Sequence, residues 1–344
     1  MVTKPLRTAL RKTLRRVKHR LQPGALILMY HRVAEVSSDP WDLCVTPDHF
    51  AEHLEILRRR TRSVSLQHLT QNLADRQSLN HSVVITFDDG YADNLYHAKP
   101  LLEKFDIPAT VFITTGNIGQ QQEFWWDELD RLVFQPQNLP DGLKLQVQNQ
   151  TYEWKVHEPA HDSDLTHHSS DSWQPEEISV LMNRDQLYHS LYQVLRQLSI
   201  LEREQALHEI RRWANVGAEG RLTHRSLSPQ EVLDLSQGDL IEVGAHTVTH
   251  PFLSQLSLAS QQSEIQQSKV ALEELLNRPV TSFSYPNGDY TLATLSLVQE
   301  IGFSQACCSI ADQVQPHNNP FLLPRLVVED SDGETFSRWL SGWL

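Results

Sequence analysis

Val83-Val84-Ile85-Thr86-Phe87-Asp88-Asp89-Gly90-Tyr91 is the stretch on which the fold reading turns. Its first five residues form a short, largely β-branched run with no polar alternation, the pattern of a strand buried on both faces. The run stops abruptly in Asp-Asp-Gly. Working outward, residues 95–105 read as a helix and Ala109-Thr110-Val111-Phe112-Ile113 as the next buried strand. Upstream, a strand is expected at 25–30 and a helix at 47–60, opened by Thr46-Pro47. Strand, loop, helix and strand at such short intervals predict parallel α/β architecture. The rhythm resumes at Leu240-Ile241-Glu242-Val243-Gly244. It continues with a helix at 257–277, a strand at 281–285, a helix near 291–300, and strands near 303–308 and 324–328.

Between these halves, residues 121–225 break the pattern. They hold an aromatic cluster (Phe124, Trp125, Trp126), a stretch at 157–172 rich in His, Asp and Ser, and helical periodicity at 176–213. Nothing there resembles another buried strand, so the segment is expected to be a largely helical insertion in a main domain spanning 23–344.

The 344 residues carry 30 Lys and Arg against 43 Asp and Glu, a net charge of −13, with 40% hydrophobic content. This is the composition of a globular chain and excludes a disordered one. Eight of the bases (Lys4, Arg7, Arg11, Lys12, Arg15, Arg16, Lys18, Arg20) fall in residues 1–20, which hold no acid. The acidic remainder repels nucleic acid. Leu6, Leu10, Leu14, Val17 and Leu21 recur at helical spacing and predict a basic amphipathic helix over 1–22. Such a helix suits either an anionic membrane surface or packing on the body of the protein. No run reaches the length of a membrane span, and the N-terminus lacks the apolar segment of a signal peptide. The three cysteines, Cys44, Cys307 and Cys308, are an odd number with two adjacent, which argues for a reducing compartment. The expected location is cytoplasmic, with peripheral contact at the inner membrane face through residues 1–22.

Three motifs fall at carboxyl ends of expected strands, the face where parallel α/β folds bind ligands. They are Thr86-Phe87-Asp88-Asp89-Gly90-Tyr91, Gly244-Ala245-His246-Thr247-Val248-Thr249-His250-Pro251 and Phe283-Ser284-Tyr285-Pro286-Asn287-Gly288. Adjacent carboxylates at a strand end point apart, so one can ligate a metal while the other takes a proton. Two histidines four apart suit one metal ion, and His₂ with one carboxylate leaves positions open for water and substrate. The spacing alone is weak, because His49/His53 and His157/His161 share it. Only His246/His250 follows a buried strand through a Gly and precedes a Pro.

With these motifs in this order, the sequence resembles the polysaccharide deacetylases, the NodB-like carbohydrate esterases that remove acetyl groups from N-acetylated sugars. The resemblance covers most of residues 25–330 outside the insertion. It implies a distorted (β/α)7 barrel and one divalent metal ion. Position by position it makes Asp88 the general base, Asp89 the metal-binding carboxylate, and His246 and His250 the metal-binding imidazoles. Zinc is the ion that suits this donor set. The expected reaction is hydrolysis of the acetamide of a polysaccharide or glycan precursor, releasing acetate, with a backbone N–H near Tyr285 helping the metal stabilise the oxyanion. Two departures from the family pattern stand out. Ser284 and Tyr285 occupy the stretch where many members place an Arg that braces the catalytic Asp. Arg325 is the candidate replacement, with a surface or core-capping role as the alternative. No His follows a Leu near the C-terminus to serve as general acid. Met29-Tyr30-His31-Arg32 resembles circularly permuted members in which an early strand supplies it, which makes His31 the candidate acid and a structural histidine the alternative. Trp125 is a candidate sugar shelf, with a core anchor the competing role. Two other function classes compete with the hydrolase: a catalytically inactive carbohydrate-binding protein on the same barrel, and a glycosyltransferase holding a metal–nucleotide complex on Asp88-Asp89.

Overall fold

The computed structural model describes residues 24–156 and 181–344. The expected helix at 1–22 and the polar stretch 157–172, with its His157/His161 pair, lie outside the described residues. In chain order the elements begin with β1 (Leu26–Tyr30), β2 (Arg32–Val33), β3 (Cys44–Val45) and α1 (Pro47–Arg60). Next come β4 (Arg62–Ser63), α2 (Leu66–Ala74), β5 (Ser82–Phe87), a π turn (Asn94–Ala98) leading into α3 (Lys99–Phe105), and β6 (Ala109–Ile113). Then follow α4 (Trp125–Phe134), β7 (Gly142–Val147), β8 (Gln150–Val156), β9 (Leu181–Met182), α5 (Arg184–Leu195) and α6 (Ile200–Ala214). The chain closes with α7 (Pro229–Leu235), β10 (Ile241–Ala245), α8 (Leu258–Leu276), β11 (Ser282–Ser284), α9 (Leu292–Glu300), β12 (Gln305–Cys307), β13 (Leu326–Val327) and α10 (Gly333–Ser341).

The main sheet runs β12-β11-β10-β6-β5-β1-β13, all pairs parallel, with β4 also on β5. From β1 through β5, β6, β10 and β11 to β12 the strands lie side by side in chain order, and β13 returns to pair with β1. The parallel bridge Cys307↔Leu323 and the bond from Cys308 N–H to Leu323 O link β12 to the approach of β13. The result is a distorted barrel of seven parallel strands. Burial on both faces explains the unbroken apolar runs. Leu26, Leu28, Val83 and Ile85 belong to one core cluster, while their alternates Ile27 and Val84 join Phe112, Cys307, Leu323 and the α2 leucines in another. Gly244 on β10 is dictated by this packing, since a Cβ there would meet the Phe112 ring at 2.5 Å.

The described residues divide into two compact units, one of 24–36, 42–120 and 226–344, the other of 37–41, 121–156 and 181–225. The second unit is not purely helical. β7 and β8 form an antiparallel hairpin to which β9 adds in parallel, and α5 and α6 share a core with them that includes Leu143, Leu145, Trp154, Leu187, Leu191 and Ile210. The segment expected to be largely helical thus also carries a small half-buried sheet. β7 alternates outward and inward, and Gln148 and Asn149 turn the hairpin at φ 49° and 64°, the left-handed pair that a two-residue turn requires.

α1 secures the C-terminal segment against the barrel. His53 is fully buried; its Nδ1 accepts from Tyr30 OH at 3.3 Å and its Nε2–H donates to Ser331 O at 2.8 Å. The ring stacks on Phe336 with centroids 3.9 Å apart, and the Glu52 carboxylate accepts the Gly333 N–H. Burial pushes the His53 imidazole down to about 4 from 6.5, the Ser331 carbonyl opposing. Its folded value lies below its unfolded one, so its contribution is intact above pH 6.5 and is lost as pH falls through about 4. A His53→Gln variant should lose about 3 kcal/mol less than wild type over that window in urea titrations at stepped pH. Parallel pH curves for the two proteins would contradict this.

Candidate active site

The carboxyl ends of β1, β5 and β10 deliver His31, Asp88-Asp89 and His246 to one face of the barrel, and β11 ends there in Ser284. After Phe87 the backbone turns sharply. Asp89 has φ 73° and Gly90 φ 82°, a left-handed pair that Asp tolerates and Gly favours. Asp88 N–H donates to Tyr30 O, Gly90 N–H to Asp88 O and Thr114 N–H to Asp89 O, so the turn is held from both neighbouring strands. The two carboxylates, both buried, leave this turn for different partners.

Asp88 meets Arg325. Nη1 donates to Oδ1 at 2.7 Å and Nη2 to Oδ2 at 2.6 Å, a two-point fork. The same guanidinium donates to Thr86 Oγ1 at 3.2 Å, Ser284 Oγ at 2.8 Å and Cys308 O at 3.2 Å, so all five of its N–H groups are used. Ser284 Oγ in turn donates to Asp88 Oδ2 at 3.3 Å. Burial alone would raise the Asp88 pKa, but the charge and hydrogen bonds of Arg325, helped by His246, hold it well below the usual carboxylate range. Asp88 is thus ionised at every working pH and committed to a cation.

Asp89 meets the histidines. Its Oδ1 lies 3.6 Å from His246 Nε2 and 3.4 Å from His250 Nε2. One ligand atom from each of the three residues falls within 4.8 Å of the others. Two ligand atoms on a tetrahedral ion, each about 2.0–2.1 Å away, would stand about 3.3 Å apart, so the spacing fits a shared ion. The donor chemistry fits as well. His246 Nδ1 lies 2.8 Å from Ser284 O, which places the proton on Nδ1 and leaves the Nε2 lone pair facing Asp89. Burial lowers the His246 pKa, Asp88 and the Ser284 bond opposing, which favours the neutral imidazole a metal requires. His246 and His250 pack with ring centroids 4.9 Å apart.

The His31 ring lies within electrostatic reach of this group. Burial pushes it down to about 4, with Asp88 raising it and Arg325 and His246 lowering it. Its resting form is a neutral imidazole. The sequence reading missed the residues that hold this strand end. Asn94 Nδ2 donates to His31 O, and Asp93 accepts from Arg32 Nε at 3.0 Å and from Val33 N–H at 3.1 Å, all buried or nearly so. The only signal was their place just after Asp-Asp-Gly-Tyr.

Two further candidates are placed as follows. The Tyr285 N–H is already donated to Cys307 O, its hydroxyl donates to Phe321 O, and Pro286 has no N–H. Tyr285 itself is buried against Phe283 and Tyr290, and it offers no amide for an oxyanion. Trp125 belongs to the second unit, where it is a packing residue. Its ring stacks on Tyr192 with centroids 4.8 Å apart, meets Trp126 edge-on, and carries the Arg203 guanidinium 5.0 Å from its centre.

A seven-stranded parallel barrel with an Asp/His/His cluster and a braced second carboxylate at its strand ends defines the class. The family model for polysaccharide deacetylases matches residues 75–190 and 177–306, and the chain belongs to that family. The Bacillus subtilis (strain 168) protein YxkH, provisionally assigned as a polysaccharide deacetylase, is 32% identical over 113 residues. That match takes in 31% of this chain and 38% of YxkH, so it spans well under half of that relative. Among solved structures, IcaB from Ammonifex degensii superposes with a TM-score of 0.57 at 19% identity, covering 93% of this chain and 96% of that one. The Streptococcus pyogenes deacetylase PplD, in complex with acetate, gives 0.56 at 18%, covering 91% and 96%. At these identities the likeness is one of fold.

Arg325→Ala leaves the Asp88 carboxylate buried without its cation. We expect a loss of about 3–5 kcal/mol in equilibrium unfolding, partly recovered by adding Asp88→Asn. A loss under about 1 kcal/mol would show that the ion pair does not hold this end of the barrel.

Proposed function

We propose that this protein is a metal-dependent hydrolase that removes acetyl groups from N-acetylated sugars of a polysaccharide or glycan precursor. The observation that carries the reading is the division of two adjacent carboxylates. Asp89 stands at ligand spacing from two imidazoles, while Asp88 is pinned by Arg325 and stays clear for proton transfer.

A divalent ion on Asp89, His246 and His250, for which zinc suits the donors, would polarise the acetamide carbonyl and acidify water. The chain's own residues handle the protons. Asp88 is ionised across neutral pH and accepts a proton from the attacking water. Arg325 fixes the direction of its carboxylate and also weakens it as a base, so the transfer relies on placement more than on basicity. His31 returns a proton to the leaving nitrogen. Its imidazole rests neutral, so that proton must be one the reaction itself supplies. Both protons of water then end on nitrogen, and acetate leaves ionised.

Location is part of the same proposal. The eight bases and no acids of residues 1–20 suit peripheral contact with anionic lipid at the inner membrane face. The three buried free thiols suit the cytoplasm. Among the described residues no helix is long and apolar enough to cross a membrane.

The test is acetate release from soluble chito-oligosaccharide and from lipid-linked acetylated glycans, lost with chelator and restored by added metal. Asp88→Asn and His31→Ala should each lower turnover by about 10²–10⁴-fold at equal metal content. Turnover of His31→Ala within a few-fold of wild type would remove His31 from the mechanism. Sugar binding without acetate would point to a binding protein, and dependence on a nucleotide to a transferase.

A further inference from the structure

The two candidate imidazole ligands are held in different ways. His246 continues a strand: its N–H donates to Ile113 O and its Nδ1 to Ser284 O, so neighbours in the sheet fix it at two points. His250 stands on a loop with left-handed residues at both ends, Thr247 at φ 62° and His250 at φ 56°. Neither is glycine, and such backbone persists only where its surroundings over-determine it.

One side of that loop rests on the chain after β6. Thr115 N–H donates to Thr247 O at 3.1 Å and Gly116 N–H to Val248 O at 2.8 Å, an approach so close that a Cβ on Gly116 would meet Val248 O at 2.6 Å. On the other side stands a carboxylate. Glu264, on the second turn of α8, reaches back to the loop. Its Oε2 accepts the N–H groups of Val248 and Thr249, each at 2.9 Å, and its Oε1 accepts the Thr249 hydroxyl at 2.7 Å. Within the loop, the His250 N–H donates to Thr247 Oγ1 at 3.1 Å.

We infer that Glu264 is a positioning residue for the metal site: it clamps residues 247–250 and so sets where His250 Nε2 stands relative to Asp89 and His246. This rests on the reading that Asp89, His246 and His250 hold a divalent ion. Three hydrogen bonds to one carboxylate anchor the loop on the α8 side. Without them two backbone amides lose their acceptor, and the left-handed turns lose the support on one side of the loop. His246 keeps both of its own anchors, so the damage falls on one ligand of three.

The test is metal binding itself, measured on the full chain by competition of Zn²⁺ and Co²⁺ against a chelating indicator, with the Co²⁺ visible spectrum as a reporter of coordination. Glu264→Ala should weaken both ions by about 10–100-fold, the scale found when outer-sphere partners of metal ligands are removed. It should also change the Co²⁺ band shape, while circular dichroism of the metal-free protein stays as in wild type. Glu264→Gln, which keeps one carbonyl oxygen for the two amides, should recover part of the affinity. At saturating metal, Glu264→Ala should lower kcat more than it changes KM. Affinity within threefold of wild type and an unaltered Co²⁺ spectrum would overturn the role of Glu264 and leave the proposed site intact. Failure of the wild-type protein to bind either ion would overturn both. If Glu264→Ala does not fold, Glu264→Asp withdraws the same oxygens by one methylene, and the same two results decide.

Discussion

The ion pair between Asp88 and Arg325 is the constraint around which this barrel is organised. Both groups are almost completely buried, where an unpaired charge would cost several kcal/mol. Each is therefore committed to the other. The guanidinium extends the commitment, since its five donors reach Thr86 on β5, Ser284 on β11, Cys308 just after β12 and the carboxylate itself. One side chain thus ties together several strands at the end where chemistry would occur. It also resolves the ambiguity of two adjacent aspartates. A carboxylate whose two oxygens are both gripped by one guanidinium is poorly placed to ligate a metal, which is why we assign the proposed ligand role to Asp89.

What remains of the site is a contrast between strand and loop. His246 and Asp88 continue strands and inherit the precision of the sheet. Asp89 and His250 adopt left-handed backbone, at φ 73° and 56°, and each depends on hydrogen bonds from outside its own loop. Asp89 O receives the Thr114 N–H, and the His250 loop is held by Glu264 and by the amides of Thr115 and Gly116. Strain of this kind is stored where a ligand group must be aimed, and the rigid barrel supplies the supports.

Much of this was legible in the sequence because its causes are local. Strands buried on both faces must be apolar throughout, so Val83 to Phe87 and Ala109 to Ile113 announced themselves. Asp88, Asp89 and His246 stand together because each follows directly from a strand end, and His250 joins them from the short loop after His246. Arg325 was readable as a candidate brace, yet choosing between that and a capping role needed the three-dimensional path of β13. The sheet of the second unit was overlooked although Leu143, Leu145 and Val147 alternate and Gln148-Asn149 suits a hairpin turn. Helical periodicity farther along dominated that reading. That the Tyr285 amide itself is spent on Cys307 O was not legible, since whether a backbone amide is free depends on its partner strand, which sequence does not name. Glu264 carried no signal at all: it looks like any polar residue of an amphipathic helix until the loop it holds is seen.

The central claim is that adjacent carboxylates do different work, Asp89 on a metal and Asp88 on Arg325. A crystal of the protein grown with zinc, with anomalous data collected at the zinc absorption edge, tests this directly. The predicted result is one peak about 2.0–2.2 Å from Asp89, His246 Nε2 and His250 Nε2, with both Asp88 oxygens still on the Arg325 guanidinium. A zinc ion bound by Asp88, or no peak among these three residues, would contradict it.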